Sequence, residues 1–487
     1  MVSLSLEHLN DDAQWARLSE LIAERIGLHY PPERATDLQR SLAGAAEEFG
    51  FGDIAACADW LLSTPLTKAH LQVLATHLTI GETYFFREQK TLDILASRVL
   101  PELIRARRGR DQRLRLWSAA CCSGEEAYSL AILLHQVLPD LADWRVSILA
   151  TDINARFLRK AVVGSYGEWS FRDTPAGFRE RYFTRTDDRR YTIRPEIQKL
   201  VAFEHLNLAD DVYPSLATHT NAMDVILCRN VLMYFSPAQT TNVIGHLHHA
   251  LVDGGWLAVS PSESSEALFP QFVTQNFPGV ILFQKNDAAS RTSPSVPPPP
   301  TAATTPEPLP VVLPEQPADI RPTPSALAAE LYEHGRYEEA ADILLASFSV
   351  HAPEPGACSL LARALANQGR LADALGWCDR WIAADKVDAA GHYLRGVILL
   401  EQGDPDEARR SLQRVLYLDP AFVLAHFALG NLARSRGQHD EADKQFANTL
   451  QLLRRLGPDD RLPESDGLTV GRLTETITAL TAPGQTP

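Results

Sequence analysis

The sequence predicts a doubly wound α/β domain, with an all-helical subdomain before it and a helical solenoid after it. Three observations predict this architecture. Short apolar runs alternate with helix-like stretches between about residues 113 and 260, a proline-rich stretch follows, and small residues recur every 34 positions beyond it. A chain of 487 residues is also long enough for several domains, and its 45% hydrophobic content can fill several cores.

The elements follow one another in a clear order. Residues before about 95 show helical periodicity and no strand run, as in WARLSELIAERIGL, whereas RYFTRTDDRRYTIRPEIQKLV combines aromatic and β-branched residues around a polar turn. The predicted boundaries are 1–95 for the helical subdomain, 96–286 for the α/β domain with a β insertion at about 172–200, 287–324 for a proline-rich linker, 325–455 for four repeats and 456–487 for a C-terminal tail.

The repeats are predicted from three sets of small residues with the same step. The glycines are Gly335, Gly369, Gly403 and Gly437; the alanines are Ala340, Ala374, Ala408 and Ala442; a third set is Ala328, Ala362, Gly396 and Gly430. We expect each glycine to end a first helix in a left-handed turn, and the third set to let paired helices approach closely. The period resembles that of tetratricopeptide (TPR) repeats; the alternative is an ordinary helical bundle.

Composition excludes some functions. The net charge of −15 argues against a nucleic-acid partner, because phosphate neutralisation needs clustered Lys and Arg. The N-terminus does not read as a signal peptide, and no apolar run reaches the roughly 20 residues of a membrane span, so we expect no direct membrane insertion. None of the six cysteines forms a CxxC pair, which favours reduced thiols, a cytoplasmic location and no metal site.

In a doubly wound sheet, ligands bind beyond the carboxyl ends of the strands. The first such loop runs from Ser118 to Gly124 and continues into Glu125 and Glu126. A single glycine does not make a dinucleotide fingerprint, and two carboxylates would repel a pyrophosphate, so a cationic or neutral nucleoside fits better. The alternative is that both glutamates are first-turn residues favoured by the helix dipole.

Three later loops carry further candidates. Asp152 ends a strand and could bind ribose hydroxyls, or Asp152 or Asn154 could simply cap the next helix. Asn207 and Leu208 follow VAFEH, where an amide could bind an adenine edge.

The last loop holds Arg229, Asn230 and Tyr234 after DVILC, which could also be an ordinary turn. Upstream, GETYFFREQ places two phenylalanines beside Thr83 and Arg87. These phenylalanines could form a wall over a ligand or could be residues of the hydrophobic core.

Taken together, these segments resemble the CheR-type chemotaxis-receptor methyltransferases over roughly residues 15–285. The matching motifs, in the family's order, are ETYFFRE, LWSAACCSGEEAYSLA, ILATDI, GSYGEWS, RYF, VAFEHLNL, DVILCRNVLMYF and GGWLAV followed by SES. The resemblance implies a helical N-terminal subdomain, an S-adenosylmethionine-binding α/β domain and a small β insertion that helps to contact the receptor.

The resemblance also implies a role for each matching residue. Thr83 and Arg87 would contact the methionine end of the cofactor or the neighbourhood of its sulfonium, and Glu125 would hold its amino-acid or ribose part. Asp152 would bind the ribose, and Asn207 and Leu208 would frame the adenine. Arg229 and Asn230 would line the cleft, and Tyr234 would lie near the transferred methyl group. The family usually has Asn where Gly81 stands, so one hydrogen bond to the cofactor is expected to be missing there.

The implied reaction is methyl transfer from S-adenosylmethionine to glutamate carboxylates of a methyl-accepting chemoreceptor's cytoplasmic domain, giving methyl esters and S-adenosylhomocysteine. A carboxylate is ionised at neutral pH, so no general base is needed. Tyr234 would stabilise the sulfonium through its ring, and Arg87 would orient the carboxylate. The repeats would clamp a protein or peptide, as in surface-sensing systems that control biofilm signalling. The alternative is a catalytically weak scaffold that senses S-adenosylmethionine.

Overall fold

The computed structural model describes residues 3–175, 177–186, 189–286, 323–348, 354–465 and 467–481. Most of the predicted linker, residues 287–322, therefore lies outside the described residues. The described chain confirms the predicted fold class, with a helical N-terminal region, a mostly parallel sheet and a helical repeat array. No described helix combines the length and the apolar character needed to cross a bilayer.

The N-terminal subdomain is built from four helices. They are α1 (Ser3–Ile26), α2 (Ala35–Glu48), α3 (Ile54–Ser63) and α4 (Lys68–Leu78). Asp53 caps α3 by accepting from the Ala56 amide at 3.0 Å, and Thr67 begins α4 with a capping box. The apolar faces of these helices meet in one core around Leu18 and Leu38, both fully buried.

A seven-stranded sheet forms the centre of the α/β domain. Its strands are β1 (Arg113–Ala119), β2 (Arg145–Asp152), β6 (Val201–His205), β7 (Met223–Leu227), β8 (Leu251–Ala258), β9 (Val273–Phe277) and β10 (Val280–Gln284). The order is β6-β2-β1-β7-β8-β10-β9; the first five strands are parallel, and β10 is antiparallel to β8 and to β9. The order reverses at β1, which places a ligand crevice at the carboxyl ends of β1 and β7.

Helices cover both faces of this sheet, so its central strands β1 and β7 are buried along their whole length. On β1, Leu114 and Leu116 belong to one core, whereas Trp117 belongs to the core on the other face. This alternation follows from the two-residue period of a strand. The flanking helices are α5 (Gln89–Ile94), which continues through a π-helical turn (Leu95–Val99) into α6 (Leu100–Arg107), α7 (Glu125–Val137), α8 (Ala155–Val163) and α11 (Pro237–Ala250).

The β insertion is a separate three-stranded antiparallel sheet. Its strands are β3 (Ser165–Tyr166), β4 (Phe183–Arg185) and β5 (Tyr191–Ile193), in the order β3-β5-β4, and two short helices, α9 (Phe178–Tyr182) and α10 (Pro195–Gln198), accompany it. Phe85 stacks on Phe171 with ring centroids 5.0 Å apart and contacts Phe183 edge-on. The adjacent phenylalanines of GETYFFREQ are therefore buried core residues; Phe85 is fully buried and Phe86 is 8% exposed.

Four helix pairs form the repeat array. They are α12 (Pro324–Glu333) with α13 (Tyr337–Phe348), α14 (Pro355–Asn367) with α15 (Leu371–Ala384), α16 (Ala389–Gln402) with α17 (Pro405–Leu418), and α18 (Val423–Ser435) with α19 (His439–Leu453). The four period-setting glycines all have φ between 70° and 80°, so the predicted left-handed turn is confirmed. A Cβ on Gly430 would lie 2.5 Å from the ring of Phe446, which explains the small residue at that position.

The described residues after the fourth pair return to the α/β domain. Arg461 and Thr469 form an isolated antiparallel bridge, and α20 (Val470–Thr481) follows it. We refer to the described residues from 323 to 481 as the repeat module. Its turns at Gly369 and Gly403 lie against Arg113 and Arg145, at the amino ends of β1 and β2. These two turns thus contact the sheet at the edge opposite the ligand crevice.

Candidate cofactor and active site

A cavity of about 1180 Å³, including its open mouth, lies at the carboxyl ends of the parallel strands. The residues that line it include eight of those predicted from the sequence, namely Thr83, Arg87, Asp152, Asn207, Leu208, Arg229, Asn230 and Tyr234. The loops after β1, β2, β6 and β7 form its floor. The N-terminal subdomain forms its roof with the segments that follow α1 and α4, so the cavity lies between two structural units.

Asp152 lies at the end of β2 on the cavity wall and is 6% exposed. One carboxylate oxygen accepts from the Cys122 amide and the other from the Asn154 amide, both at 2.8 Å. Burial raises the pKa of Asp152 to about 6, and these backbone hydrogen bonds oppose the rise. The side chain of Asn154, not that of Asp152, caps α8. Since each carboxylate oxygen has a second lone pair, Asp152 can still accept from a ribose hydroxyl.

Glu125 does not line the cavity, although the resemblance assigned it to the cofactor. It is 1% exposed and accepts hydrogen bonds from Ser123 Oγ at 2.7 Å and Ser170 Oγ at 3.0 Å. Successive side chains of a helix diverge by about 100°, so in the first turn of α7 the next glutamate points in a different direction. Glu126 lines the cavity, accepts from Ser118 Oγ at 2.6 Å, and has a pKa raised by burial.

Arg229 is held in an ion-pair network on the cavity wall. Its side chain is 2% exposed and lies 3.3 Å from Glu126 and 3.2 Å from Glu88. It also donates to the backbone carbonyl of Arg87. Because its charge is compensated within the wall, Arg229 serves to join the loop after β7 to the ETYFFRE segment and to α7. Arg87 donates to the Glu82 carbonyl at 2.6 Å and also lines the cavity.

The loop after β6 supplies the other polar wall. Asn207 Nδ2 donates to Asp210 Oδ1 at 2.8 Å and to the Arg25 carbonyl at 3.2 Å. Its Oδ1 accepts from the Ala209 amide at 3.1 Å, so the side chain fixes its own loop as well as the end of α1. Leu208, 5% exposed, adds an apolar surface beside it. A polar edge next to an apolar surface suits a planar heterocycle.

Asn230 and Tyr234 lie in a loop that is fixed by a carboxylate outside the cavity lining. Glu263 accepts from the amides of Asn230 at 2.8 Å, Val231 at 2.7 Å and Met233 at 3.2 Å. It is 5% exposed and also accepts from Ser260 Oγ at 2.6 Å. Glu263 belongs to the SES segment after β8, so the loop after β8 holds the backbone of the loop after β7.

Gly81 lies beside the cavity between two lining residues, Ile80 and Glu82. A Cβ at this position would lie 2.6 Å from the ring of Phe157, which itself lines the cavity. A larger side chain at position 81 would therefore have to displace that ring. Thr83 follows on the same segment and lines the cavity.

Sequence reasoning missed the wall residues that the N-terminal subdomain contributes. The turn after α1 brings Leu28, His29 and Tyr30 to the cavity, and the His29 amide donates to the Tyr234 carbonyl at 2.7 Å. Tyr30 donates its hydroxyl to the Leu78 carbonyl at 3.2 Å. The sequence GLHYPPER shows a break between helices, but no local signal shows what such a break will contact.

Several non-glycine residues with left-handed backbone cluster at this site. Ala120 (φ 63°), Cys122 (φ 51°) and Asn230 (φ 59°) line the cavity, and Phe86 and Glu88 flank Arg87. Such conformations are uncommon outside glycine and concentrate at functional sites. No group of three His, Cys, Asp or Glu side chains suited to a metal ion occurs in the part of the chain that the structure describes.

The strand order and the position of the cavity are those expected of an α/β methyltransferase that uses S-adenosylmethionine. The family described as CheR methyltransferase, SAM binding domain, matches residues 81–276. Chemotaxis protein methyltransferase 1 of Pseudomonas aeruginosa is 36% identical over 219 residues, covering 44% of this chain and 77% of that protein. Chemotaxis protein methyltransferase 2 of Vibrio cholerae is 34% identical over 207 residues, covering 42% and 70%. The chain therefore belongs to the CheR methyltransferase family, and its predicted enzyme class and cofactor are confirmed.

The repeat array is also matched. Tetratricopeptide repeat families match residues 331–398 and 393–460, which confirms the predicted repeats. The similarity to some relatives extends over both parts of the chain. For example, the probable biofilm formation methyltransferase WspC of Pseudomonas aeruginosa is 28% identical over 430 residues, covering 87% of this chain and 95% of that protein. The combination of the two domains is thus shared with a curated relative.

Proposed function

We propose that this chain transfers the methyl group of S-adenosylmethionine to glutamate side chains on the cytoplasmic domain of a methyl-accepting chemoreceptor. The products are glutamate methyl esters and S-adenosylhomocysteine. The observation that supports this most directly is the convergence of Asp152, Asn207, Arg87 and Tyr234 on one cavity in a chain of the CheR family. The cavity offers an acid for ribose hydroxyls, an amide with an apolar surface for adenine, and an arginine at its mouth.

The residues of the cavity fit this cofactor without further groups. Asp152 would hold the ribose, Asn207 and Leu208 the adenine, and Thr83 the methionine end. When bound, S-adenosylmethionine supplies an electrophilic methyl group on a sulfonium. The partly buried ring of Tyr234 would face that cation, and Glu126 adds a carboxylate to the same wall. Glu125 lies outside the cavity lining, where it accepts a hydrogen bond from Ser170. Gly81, which has no side chain, leaves room for the ring of Phe157.

Catalysis on a carboxylate needs positioning more than proton transfer. The substrate glutamate is ionised at neutral pH, so it needs no base to become a nucleophile. Arg87 would orient that carboxylate at the mouth, and the roof formed by the N-terminal subdomain would exclude water from the line of attack. One C–O bond forms, the S–CH₃ bond breaks, and its electron pair stays on sulfur.

Binding by calorimetry tests the cofactor site. Titration with S-adenosylhomocysteine is expected to give a micromolar dissociation constant for the unmodified chain. Asp152→Ala should lose most of this binding, whereas Asp143→Ala, at an exposed position of the same domain, should keep it. Unmodified protein that binds neither S-adenosylmethionine nor its product would contradict the proposal.

A second candidate function is a scaffold that binds S-adenosylmethionine with little turnover. Gly81 favours it, because the family usually has Asn at this position and one hydrogen bond to the cofactor would be missing. The two functions separate in a single-turnover experiment with labelled S-adenosylmethionine and receptor-containing membranes. Transfer of label to protein supports the enzyme, and tight binding without transfer supports the scaffold.

We further propose that the enzyme works in the cytoplasm, where a receptor's signalling domain is accessible, and that the repeat module makes protein contacts. The similarity to WspC over most of the chain supports a surface-sensing or biofilm pathway. Membranes from cells with and without the chain, compared for methylated receptors by mass spectrometry, would identify the substrate. Receptors methylated equally in both would contradict this assignment.

A further inference from the structure

The loop between β6 and β7 is packed into the repeat module. Leu216, in this loop, is 3% exposed and belongs to the apolar core of the repeats. Ser215 Oγ donates to the carbonyl of Ser465 at 3.3 Å. Phe427 of α18 and Leu473 of α20 line a small cavity together with Ala217 of the loop. The α/β domain thus completes the core of the module.

A buried carboxylate in the third helix pair makes a second contact between the module and the α/β domain. Glu401, near the end of α16, has a side chain that is 2% exposed and lies 3.0 Å from Arg115 of β1. Asn221, at the end of the loop, is fully buried and donates to Glu401 at 3.5 Å. Burial of Leu216 in the core of the repeats favours the docked module, and because a buried charge needs its partner, the Glu401–Arg115 pair fixes how the module docks.

The C-terminal helix extends the contact to the cofactor cavity. Arg472 of α20 is 9% exposed, lies 3.2 Å from Asp210, and donates to the His205 carbonyl at 3.3 Å. Asp210 in turn accepts from Asn207 at 2.8 Å. The side chains of Arg472 and Asp210 therefore connect α20 with Asn207, a residue of the cavity wall. Arg472 lies beyond the residues matched by the methyltransferase and repeat families.

The charge of Asp210 depends on this arrangement. Burial raises the pKa of Asp210, and the Arg472 guanidinium opposes that rise. Without the guanidinium, the carboxyl group would tend to take up a proton or turn toward solvent. Either change weakens the acceptor that holds the amide of Asn207, and the loop that carries Leu208 then loses a restraint.

We propose that the repeat module is an intramolecular clamp whose partner is the chain's own loop, residues 209–222, and that Arg472 is a positioning residue for the cofactor cavity. The module therefore sets cofactor affinity through Asp210 and Asn207. A protein that competes for the surface holding Leu216 would lower that affinity. The cofactor part of this proposal rests on the proposed function, whereas the clamp itself does not.

Calorimetry with S-adenosylhomocysteine on the full chain tests the coupling. Arg472→Ala is expected to weaken binding by about three- to tenfold, because one charge-assisted contact no longer holds the loop. Arg472→Lys should restore part of the affinity, since the ammonium can still pair with Asp210. Arg436→Ala is the matched control, because it removes an Arg–Asp pair inside the module at Asp406. It should leave binding unchanged.

Hydrogen–deuterium exchange of the ligand-free chain tests the clamp independently. Arg472→Ala should increase amide exchange in residues 207–221, and Arg436→Ala should not. In an Asp210→Asn background, Arg472→Ala should have no further effect on affinity. A variant that merely folds poorly would lose affinity in this background too, so the comparison excludes misfolding as the cause.

The outcomes separate the two proposals. If the unmodified chain binds the ligand and Arg472→Ala binds equally well, the coupling is wrong and the proposed function stands. If the unmodified chain does not bind, the proposed function fails, and exchange then decides the clamp alone. Unchanged exchange in residues 207–221 would overturn the clamp in either case.

Discussion

With the role proposed for Asp152, cofactor binding should weaken in mild acid, because an ionised carboxylate accepts more strongly from ribose hydroxyls than a protonated carboxyl group does. Burial raises the pKa of Asp152 to about 6. At pH 5, one unit below this value, only about a tenth of the carboxyl groups remain ionised, so the dissociation constant should rise about tenfold relative to pH 7. The ligand's own α-amino and α-carboxyl groups titrate outside this window. S-adenosylhomocysteine, titrated by calorimetry at several values between pH 5 and 7, measures the effect.

Two variants identify the group responsible. Asp152→Ala should bind weakly with little dependence on pH, whereas Glu126→Gln should keep the dependence although the pKa of Glu126 is also raised by burial. Equal affinity of the unmodified chain at pH 5 and pH 7 would refute the argument, as would a pH dependence that persists in Asp152→Ala.

The same group affects stability in the opposite direction. The folded-state pKa of Asp152 lies above the usual value of 3.8. Between about pH 4 and 6, the carboxyl group of Asp152 is therefore protonated in the ligand-free folded chain and ionised in the unfolded chain. This contribution to stability is present below that window and is lost as pH rises through it. The ligand-free protein should thus lose this contribution over the pH range in which it gains ligand affinity.

The other predictions concern loops and packing. Glu263→Gln places an NH₂ group against backbone N–H donors, so it should lower the free energy of unfolding by about 1–3 kcal/mol and slow methyl transfer. Thermal unfolding measures the stability, and unchanged stability and turnover would contradict this prediction. Gly430→Ala should destabilise the repeats by about 1–3 kcal/mol, because its Cβ meets a ring at 2.5 Å. Gly376→Ala, with open space in a helix, should stabilise them by about 0.5–1 kcal/mol; urea unfolding with the same sign for both would refute this. Gly81→Ala should weaken S-adenosylhomocysteine binding several-fold, and adding Phe157→Leu should restore it; a loss that remains would exclude a steric cause.

The sequence predicted those parts of the molecule that follow from local rules. The glycine period predicts left-handed turns, and Gly335 and Gly437 have them because only glycine adopts that backbone without strain. The rule that ligands bind at the carboxyl ends of strands led to Asp152 and Asn207, which both line the cavity. Such features depend on a few neighbouring residues, so the sequence shows them directly.

Other parts depend on contacts between distant residues. A one-residue step in the first turn of α7 decides that Glu126, and not Glu125, faces the cavity. Tyr30 reaches the wall only because the helical subdomain covers the sheet. The ion pair of Arg115 with Glu401 joins residues that are far apart in the chain, and neither residue stands in a recognisable motif.

The most direct test of the central claim is methyl transfer to protein carboxylates. Membranes from source cells that lack this chain are incubated with the purified enzyme and S-adenosylmethionine labelled on the methyl group. The account predicts label on a receptor-sized protein that mild alkali releases as methanol, and loss of this label with Asp152→Ala. Label that resists alkali, or no label with an enzyme that binds its cofactor, would contradict the account.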